Sequence, residues 1–330
     1  MKKHLLPLIL VSALFVGGCG AANSASQPAA SSPSEQTADP SSASAEQAAD
    51  PSSASEEQTS DSASSPARQY ELAASHAVNG RQGICTENGV YWVSGSTSLT
   101  KYDKDWNVVA ENTDPFKGYD IEVNHIGDID VYKNELYLGV EYFMDGESSN
   151  IQIAVYDCDT LELKRVFPFR DDTGQKECSG IAVDPDSGTV YMSSWIDDES
   201  STCLYRYDLE SGDYKGTLQM DSAPKWLQGV AYYDGSLYVT ADDGDADKDE
   251  PDHMYRVDPN EDLTAGTVVL EKTFDDVTRQ GEIEGLSFDR VNNQFLLVYN
   301  RGARIVLGMP KGFYKGYKEE IHEAFVYDMK

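Results

Sequence analysis

Gln228-Gly229-Val230-Ala231-Tyr232-Tyr233-Asp234-Gly235-Ser236-Leu237-Tyr238-Val239-Thr240 reads as a strand, a two-residue turn and a second strand. Two short runs rich in Val, Leu and Tyr suit a pleated backbone. Asp234-Gly235 between them is a dipeptide that tight hairpins select, because both central residues need positive φ. The glycine that opens this stretch recurs in Gln82-Gly83-Ile84-Cys85, Ile126-Gly127-Asp128-Ile129, Ser179-Gly180-Ile181-Ala182 and Glu284-Gly285-Leu286-Ser287, at spacings of 44, 53, 49 and 56 residues. Second strands follow as Val90-Tyr91-Trp92, Leu136-Tyr137-Leu138, Val190-Tyr191-Met192, Leu237-Tyr238-Val239 and Phe295-Leu296-Leu297. Third strands end in aspartate: Tyr102-Asp103, Tyr156-Asp157, Tyr207-Asp208, Val257-Asp258 and Tyr327-Asp328. Fourth strands lie near Val108, Leu163, Tyr214 and Val268 in the first four units. A long fixed period of this kind marks a repeat architecture.

The fifth unit has three strands, and Tyr70-Glu71-Leu72-Ala73, ahead of the first unit, offers the fourth. Borrowing a terminal strand is how a propeller closes its ring. The sequence therefore predicts an all-β chain with a single β-propeller over residues 69–330, of five four-stranded blades closed by the N-terminal strand. A six-bladed ring with one eroded unit is the alternative. The strand tyrosines are expected between blades, and the terminal aspartates are expected to open turns by accepting backbone N–H groups.

Upstream, the composition changes. Met1-Lys2-Lys3 precedes an apolar run from Leu5 to Val16, which is 12 residues long. A bilayer span needs about 20, so the run suits a signal peptide. Val16-Gly17-Gly18-Cys19 resembles the lipobox of bacterial lipoproteins. That resemblance implies cleavage after residue 18, lipidation of Cys19, and a chain tethered in the bacterial cell envelope, meeting the membrane through its lipid alone. Residues 19–68 are rich in Ala, Ser and Pro, with a near-repeat of Ala38-Asp39-Pro40-Ser41-Ser42 at Ala49-Asp50-Pro51-Ser52-Ser53. Such a stretch has little to bury and is expected to be a disordered tether.

Residues 69–330 hold 50 acidic and 23 basic side chains. That excess argues against nucleic acid, whose phosphates call for clustered Lys and Arg, and favours cations or cationic partners. Much of the acid falls in the loops between second and third strands. Residues 141–150, 193–202 and 241–252 carry 13 acids against Lys248 alone. Tyr142, Phe143, Trp195 and Trp226 are expected around the same rim. Asp243-Gly244-Asp245-Ala246-Asp247 suggests a loose Ca²⁺ loop or a solvated acidic one. It is not an EF-hand, since Lys248 and Met254 stand where that loop needs Gly and Glu.

Ring geometry sends the residues before the five glycines to one mouth of the channel: Gln82, Ile126, Ser179, Gln228 and Glu284. Gln82, Ser179 and Gln228 are the ligand-binding candidates, alongside Arg301 and Arg304 from the insertion at residues 300–323. This basic arm is read either as folding over the channel to hold an anionic group or as neutralising acidic neighbours. His125 with nearby Asp128 forms the one candidate acid–base pair, although no nucleophile declares itself. Neither a P-loop, nor G-x-S-x-G, nor H-E-x-x-H occurs. Cys85, Cys158, Cys178 and Cys203 lack C-x-x-C spacing, leaving disulfides or buried thiols open.

Glu282-Ile283-Glu284-Gly285-Leu286, within the glycine rhythm, resembles a strand opening in the superfamily of calcium-dependent phosphotriesterase, SMP-30 gluconolactonase and strictosidine synthase-like propellers. The resemblance implies a channel metal on Glu284, with Ca²⁺ as the cofactor. Asp243, Asp245 and Asp247 are further metal candidates from the acidic loop. Three functions follow. A monomeric, tethered propeller binds a small ligand, a cation or a protein on its acidic face; or it is a Ca²⁺-dependent hydrolase or lactonase; or it is a structural scaffold.

Overall fold

The computed structural model describes residues 67–278 and 280–330. The expectations for the signal peptide, Cys19 and nearly all of the tether lie outside the described residues. Apart from one 3-10 turn at Glu199–Ser201, the regular structure described is all strand.

Strand β1 (Tyr70–Ala77) precedes four antiparallel meanders. The first contains β2 (Ile84–Glu87), β3 (Val90–Gly95), β4 (Ser98–Tyr102) and β5 (Val108–Asn112). The second contains β6 (His125–Tyr132), β7 (Glu135–Met144), β8 (Glu147–Asp157) and β9 (Leu163–Val166). The third runs through β10 (Ile181–Asp184), β11 (Thr189–Met192), β12 (Cys203–Asp208) and β13 (Tyr214–Met220). The fourth has β14 (Leu227–Tyr233), β15 (Ser236–Ala241), β16 (His253–Pro259) and β17 (Ala265–Thr273), and its outer strand meets β13 in a short parallel bridge.

A fifth sheet starts with β18 (Gly281–Asp289) and β19 (Gln294–Arg301). A separate hairpin of β20 (Ala303–Val306) and β21 (Met309–Phe313) interrupts it before β22 (Ile321–Met329). The sheet order is β1-β22-β19-β18, so the N-terminal strand completes the last blade, with Tyr70 opposite Met329 and Ala77 opposite Glu323. The fold is a β-propeller, as the repeat indicated.

Each interface between neighbouring sheets holds an apolar cluster. Trp92 and Leu99 pack on Ile129 and Leu138; Tyr137 and Val155 on Ile181 and Val190; Tyr191 and Leu204 on Val230 and Val239; Ala231 and Tyr238 on Leu286 and Phe295. The last cluster joins Leu296 and Val298 of the fifth sheet to Ile84 and Tyr91 of the first, which closes the ring. The second-strand tyrosines sit in these clusters, where an aromatic ring contributes a large apolar area. Asp103, Asp157 and Asp208 open turns by accepting two backbone N–H groups each. Asp258 and Asp328 instead take side-chain donors, from Ser236 and Arg256 and from Gln294 respectively.

The repeated glycines are explained by crowding at the ring axis. A Cβ on Gly83 would stand 2.5 Å from Ile129 N; on Gly180, 2.8 Å from Val230 N; on Gly229, 2.6 Å from Gly285 Cα; on Gly285, 2.7 Å from Gly83 Cα. On Gly127 it would strike the Cys178 carbonyl. Each glycine thus abuts the next blade, and the five form a closed circuit. None has positive φ, so the requirement is space rather than conformation. Ser94 and Thr240 tie the circuit together: each hydroxyl accepts from its own blade's glycine (Gly83, Gly229) and donates to a carbonyl of the next blade (Gly127, Glu284). Backbone therefore pinches the channel at its waist and leaves a separate cavity at each mouth.

Candidate functional site

The mouth above the glycine waist holds a half-open cavity of about 230 Å³. The first blade contributes Arg81 and Gln82, the second His125 and Phe143, and the third Glu177 and Trp195. Gln228 comes from the fourth, Glu282 and Glu284 from the fifth, and the turn Gly308–Pro310 forms a roof.

The floor is acidic. Glu284 and Glu282 are 3 % and 6 % exposed, and each receives an amide: Gln82 Nε2 donates to Glu284 Oε1 at 3.3 Å, and Gln228 Nε2 to Glu282 Oε1 at 3.0 Å. Burial, then the neighbouring Glu282, pushes the Glu284 carboxyl well above the usual range. Burial also raises Glu282, while Arg81 opposes that shift. Across the cavity, Glu177 accepts the Trp195 N–H at 2.6 Å, and burial followed by the nearby Glu141 charge pushes its carboxyl well up. Desolvation penalises the ionised form, so all three carboxyls give up their protons less readily than they would in water.

His125 does line the cavity, but Asp128 is not its partner. The histidine Nδ1 lies 3.1 Å from Glu141 Oε1, and Glu141 is fixed in turn by Ser148 Oγ at 2.6 Å and Cys178 N at 3.0 Å. Asp128 lies in the waist, where it accepts Ile129 N at 2.8 Å and Val230 N at 3.1 Å across the ring. The cause is a register shift in β6 between Ile126 and Ile129, which re-aims the strand. His125 pairs directly with Glu141 across the β6–β7 hairpin, because the same shift moves the partner one residue from the Tyr142 that counting back from the turn would give.

Among the five residues that precede the glycines, Gln82, Gln228 and Glu284 reach the cavity. Ile126 is wholly buried in the apolar cluster between the first two blades. Ser179 bonds to Ser193 Oγ at 2.9 Å and lies outside the cavity wall. Arg81, Glu177 and Glu282 were missed; they stand two or three residues before their glycines, so a wider window would have caught them.

The basic arm neutralises acids rather than presenting its arginines to the channel. Arg301 pairs with Glu323 and donates to Tyr317 Oη, while Arg304 forks onto Asp247 and stacks over Tyr314. The arm nevertheless covers the mouth. Its tip, Leu307-Gly308, rests on the β7–β8 hairpin, so that a Cβ on Gly308 would stand 2.7 Å from the Phe143 ring.

The acidic loops are similarly engaged. Asp243 holds His253 Nδ1 at 2.7 Å and Tyr255 Oη at 2.6 Å; Asp245 holds Lys248 at 2.7 Å; Asp247 holds Arg304. The structure therefore does not gather Asp243, Asp245 and Asp247 with Glu284. Among the described residues no group of three His, Cys, Asp or Glu side chains is arranged to hold a metal. Around Glu284 and Glu282 the glutamine side chains turn N–H groups toward the carboxyls and Arg81 adds a guanidinium, while Asp242 and Asp252 lie nearby without converging on a shared point. As arranged, these side chains do not form a Ca²⁺ site. Cys85, Cys158, Cys178 and Cys203 are buried free thiols.

No family model and no curated protein matches the chain. Among solved structures it is similar to glutaminyl cyclase from Myxococcus xanthus, with a TM-score of 0.51 and 10 % identity over 81 % of this chain and 99 % of that one. It is also similar to a PQQ-bound aldose sugar dehydrogenase from Streptomyces coelicolor (TM-score 0.43, 14 % identity, 79 % and 99 % covered). A gluconolactonase from Xanthomonas campestris gives a TM-score of 0.43 and 14 % identity over 73 % and 68 %. At such identities the likeness is one of fold.

Proposed function

We propose that the chain is a lipid-anchored protein of the bacterial envelope whose propeller binds a small molecule with a cationic nitrogen in the roofed cavity. One observation carries the reading: Glu177, Glu282 and Glu284 are 5 %, 6 % and 3 % exposed, yet line a half-open cavity in whose wall, among the described residues, Arg81 is the one basic side chain besides His125. Buried carboxyls are stable when neutral or paired, and a bound cation supplies the pairing. Trp195 and Phe143 add aromatic faces, which attract cations. Cys19 and a tether of about 35–42 Å would hold the cavity clear of the membrane.

Binding then exchanges a proton for the ligand's charge. Small amines such as putrescine and agmatine, titrated by calorimetry in buffers of different ionisation enthalpy, should release protons and bind more tightly at pH 8 than at pH 5. Glu177→Gln should weaken them at least tenfold. Affinity indifferent to both pH and Glu177→Gln would refute the reading.

Hydrolysis is the second reading, favoured by the cavity-facing His125 held by Glu141. It requires turnover of an ester or lactone that His125→Gln abolishes while amine binding persists. No step runs through a metal, because the side chains around Glu284, as arranged, do not form a site for one.

A further inference from the structure

One end of the cavity is built for an anion. A guanidinium carries five N–H donors, yet Arg81 makes no hydrogen bond through its side chain among the described residues. Its nearest carboxylate oxygens, on Glu282 and Glu320, lie at 3.7 and 3.6 Å, and its Nε is buried with no partner. The side chain is only 15 % exposed, so bulk water does not readily satisfy it. Asn300 stands directly opposite Glu282 in the β18–β19 ladder, hence on the same face. It is 1 % exposed, and neither of its amide atoms is bonded. Two unsatisfied groups thus lie beside Glu282, of which Arg81 lines the cavity and Asn300 stands behind its wall, and such groups are costly to leave unpaired.

Glu282 and Glu320 stand at ion-pair distance from Arg81, but neither accepts a hydrogen bond from it, which leaves its N–H groups open to a third partner. Burial and the neighbouring Glu282 raise the Glu284 carboxyl, which disfavours a second negative charge beside Glu282. Among the described residues Glu177, in the third blade, makes no ion pair and accepts the Trp195 backbone N–H. It lies across the ring from the junction of the first and fifth blades where Arg81 sits. The cavity is therefore polarised, with free N–H donors at one wall and an acid beside Trp195 at the other.

We propose that the ligand is a zwitterion of amino-acid size, its carboxylate gripped by Arg81 and its ammonium group set against Glu177. This rests on the amine-binding reading above and adds the carboxylate to it. Guanidinium is the side chain suited to a forked grip on carboxylate, and a compact zwitterion can bridge two walls of a cavity this small.

The test uses the twenty common amino acids, their α-amides and their N-acetyl derivatives, titrated into the folded chain and followed by tryptophan fluorescence and calorimetry. At least one free amino acid should bind tenfold or more tightly than both its amide and its N-acetyl form. Arg81→Lys, which keeps the charge and loses the fork, should reduce the margin over the amide to less than threefold. Glu177→Gln should do the same to the margin over the N-acetyl form. An amide that binds as tightly as its parent acid would overturn the carboxylate assignment while leaving amine binding intact. Silence from all three sets while putrescine or agmatine still binds would do likewise, and silence from the diamines as well would overturn both readings.

Discussion

Replacing Gly285 with Ala tests whether the propeller is closed by backbone at its axis. Gly→Ala at an ordinary β-strand position, where φ is negative, stabilises by about 0.4–1 kcal/mol, chiefly by restricting the unfolded chain. Here the sign should reverse. The new Cβ would lie 2.7 Å from Gly83 Cα and 2.9 Å from Gln82 O, and nearer still to Asp128 Oδ1. Carbon atoms prefer separations of about 3.5–4.0 Å, so the shortfall is near 1 Å on more than one side. Two of the three obstacles are main-chain atoms of the first blade, held by the 2.8 Å bond from Gly285 N to Gln82 O, and they cannot rotate aside. Overpacking costs about 1–3 kcal/mol, and rigid neighbours place this case at the upper end. For a domain of this size, about 3 kcal/mol corresponds to a fall in Tm of roughly 6–12 °C. Urea denaturation gives the free energy directly. Asp128→Ala removes the third obstacle, so in that background the Gly285→Ala penalty should shrink by about 1 kcal/mol, a coupling that a double-mutant cycle resolves. A neutral or stabilising Gly285→Ala would mean that the blades do not meet at their glycines.

Three other perturbations separate the remaining arguments. Asp130, below the waist, accepts Val131 N and Val183 N at 2.7 Å each, and burial pushes its carboxyl up to about 7. Because the folded value lies above the unfolded one, its contribution is full below about pH 4 and is lost as pH rises through 7; Asp130→Asn should flatten that decline in urea midpoints measured from pH 4.5 to 7.5. Glu271 accepts Arg68 N and Tyr70 Oη at 2.9 Å and pairs with the buried Arg256 at 3.2 Å. Glu271→Ala should cost about 3 kcal/mol, the low end for a broken buried pair, since Asp258 still holds Arg256; a loss under 1 kcal/mol by urea denaturation would count against a role for Glu271 in fastening β1. Phe143→Ala removes the ring beneath the roof tip, so trypsin should cut after Arg304 or Lys311 several times faster while Tm changes little; unchanged cleavage would mean that the tip is held elsewhere.

The ring was legible in sequence because its strictest demand falls on one residue per blade. Only glycine fits at the axis, so Gly83, Gly127, Gly180, Gly229 and Gly285 print the architecture as a period, and Tyr70–Ala73 could be assigned to the incomplete blade by counting strands. The cavity was less legible for a geometric reason. β14 and β18 begin ahead of their glycines, so alternation carries Gln228, Glu282 and Glu284 to the mouth. β2 and β10 begin after theirs, which leaves Arg81 and Glu177 on irregular backbone where a two-residue period has no meaning. Asp128 was misplaced by a register shift that a single sequence does not announce, and Glu141 was counted among the loop acids although it lies within β7.

The same geometry reassigns the acidic excess. Asp198, Asp243, Asp245 and Asp247 are conspicuous in the sequence, but they cap a turn or hold a neighbouring Tyr, His, Lys or Arg, and they form the rim's own scaffold. The arginines of the arm are spent in the same way, while its apolar tip roofs the cavity. Recognition then falls to a few inward charges whose burial makes each count for more than any rim carboxylate, since interactions strengthen as water is excluded. The rim's negative field acts at longer range, raising the local concentration of cations and steering them inward. Salt should therefore slow association of a cationic ligand strongly, because screening reaches the rim, and should alter its dissociation much less, because the contact at Glu177 lies under the roof. Stopped-flow rates of putrescine binding between 20 mM and 500 mM salt would divide the two contributions, and equal sensitivity of both rates would place the binding contacts at the rim after all.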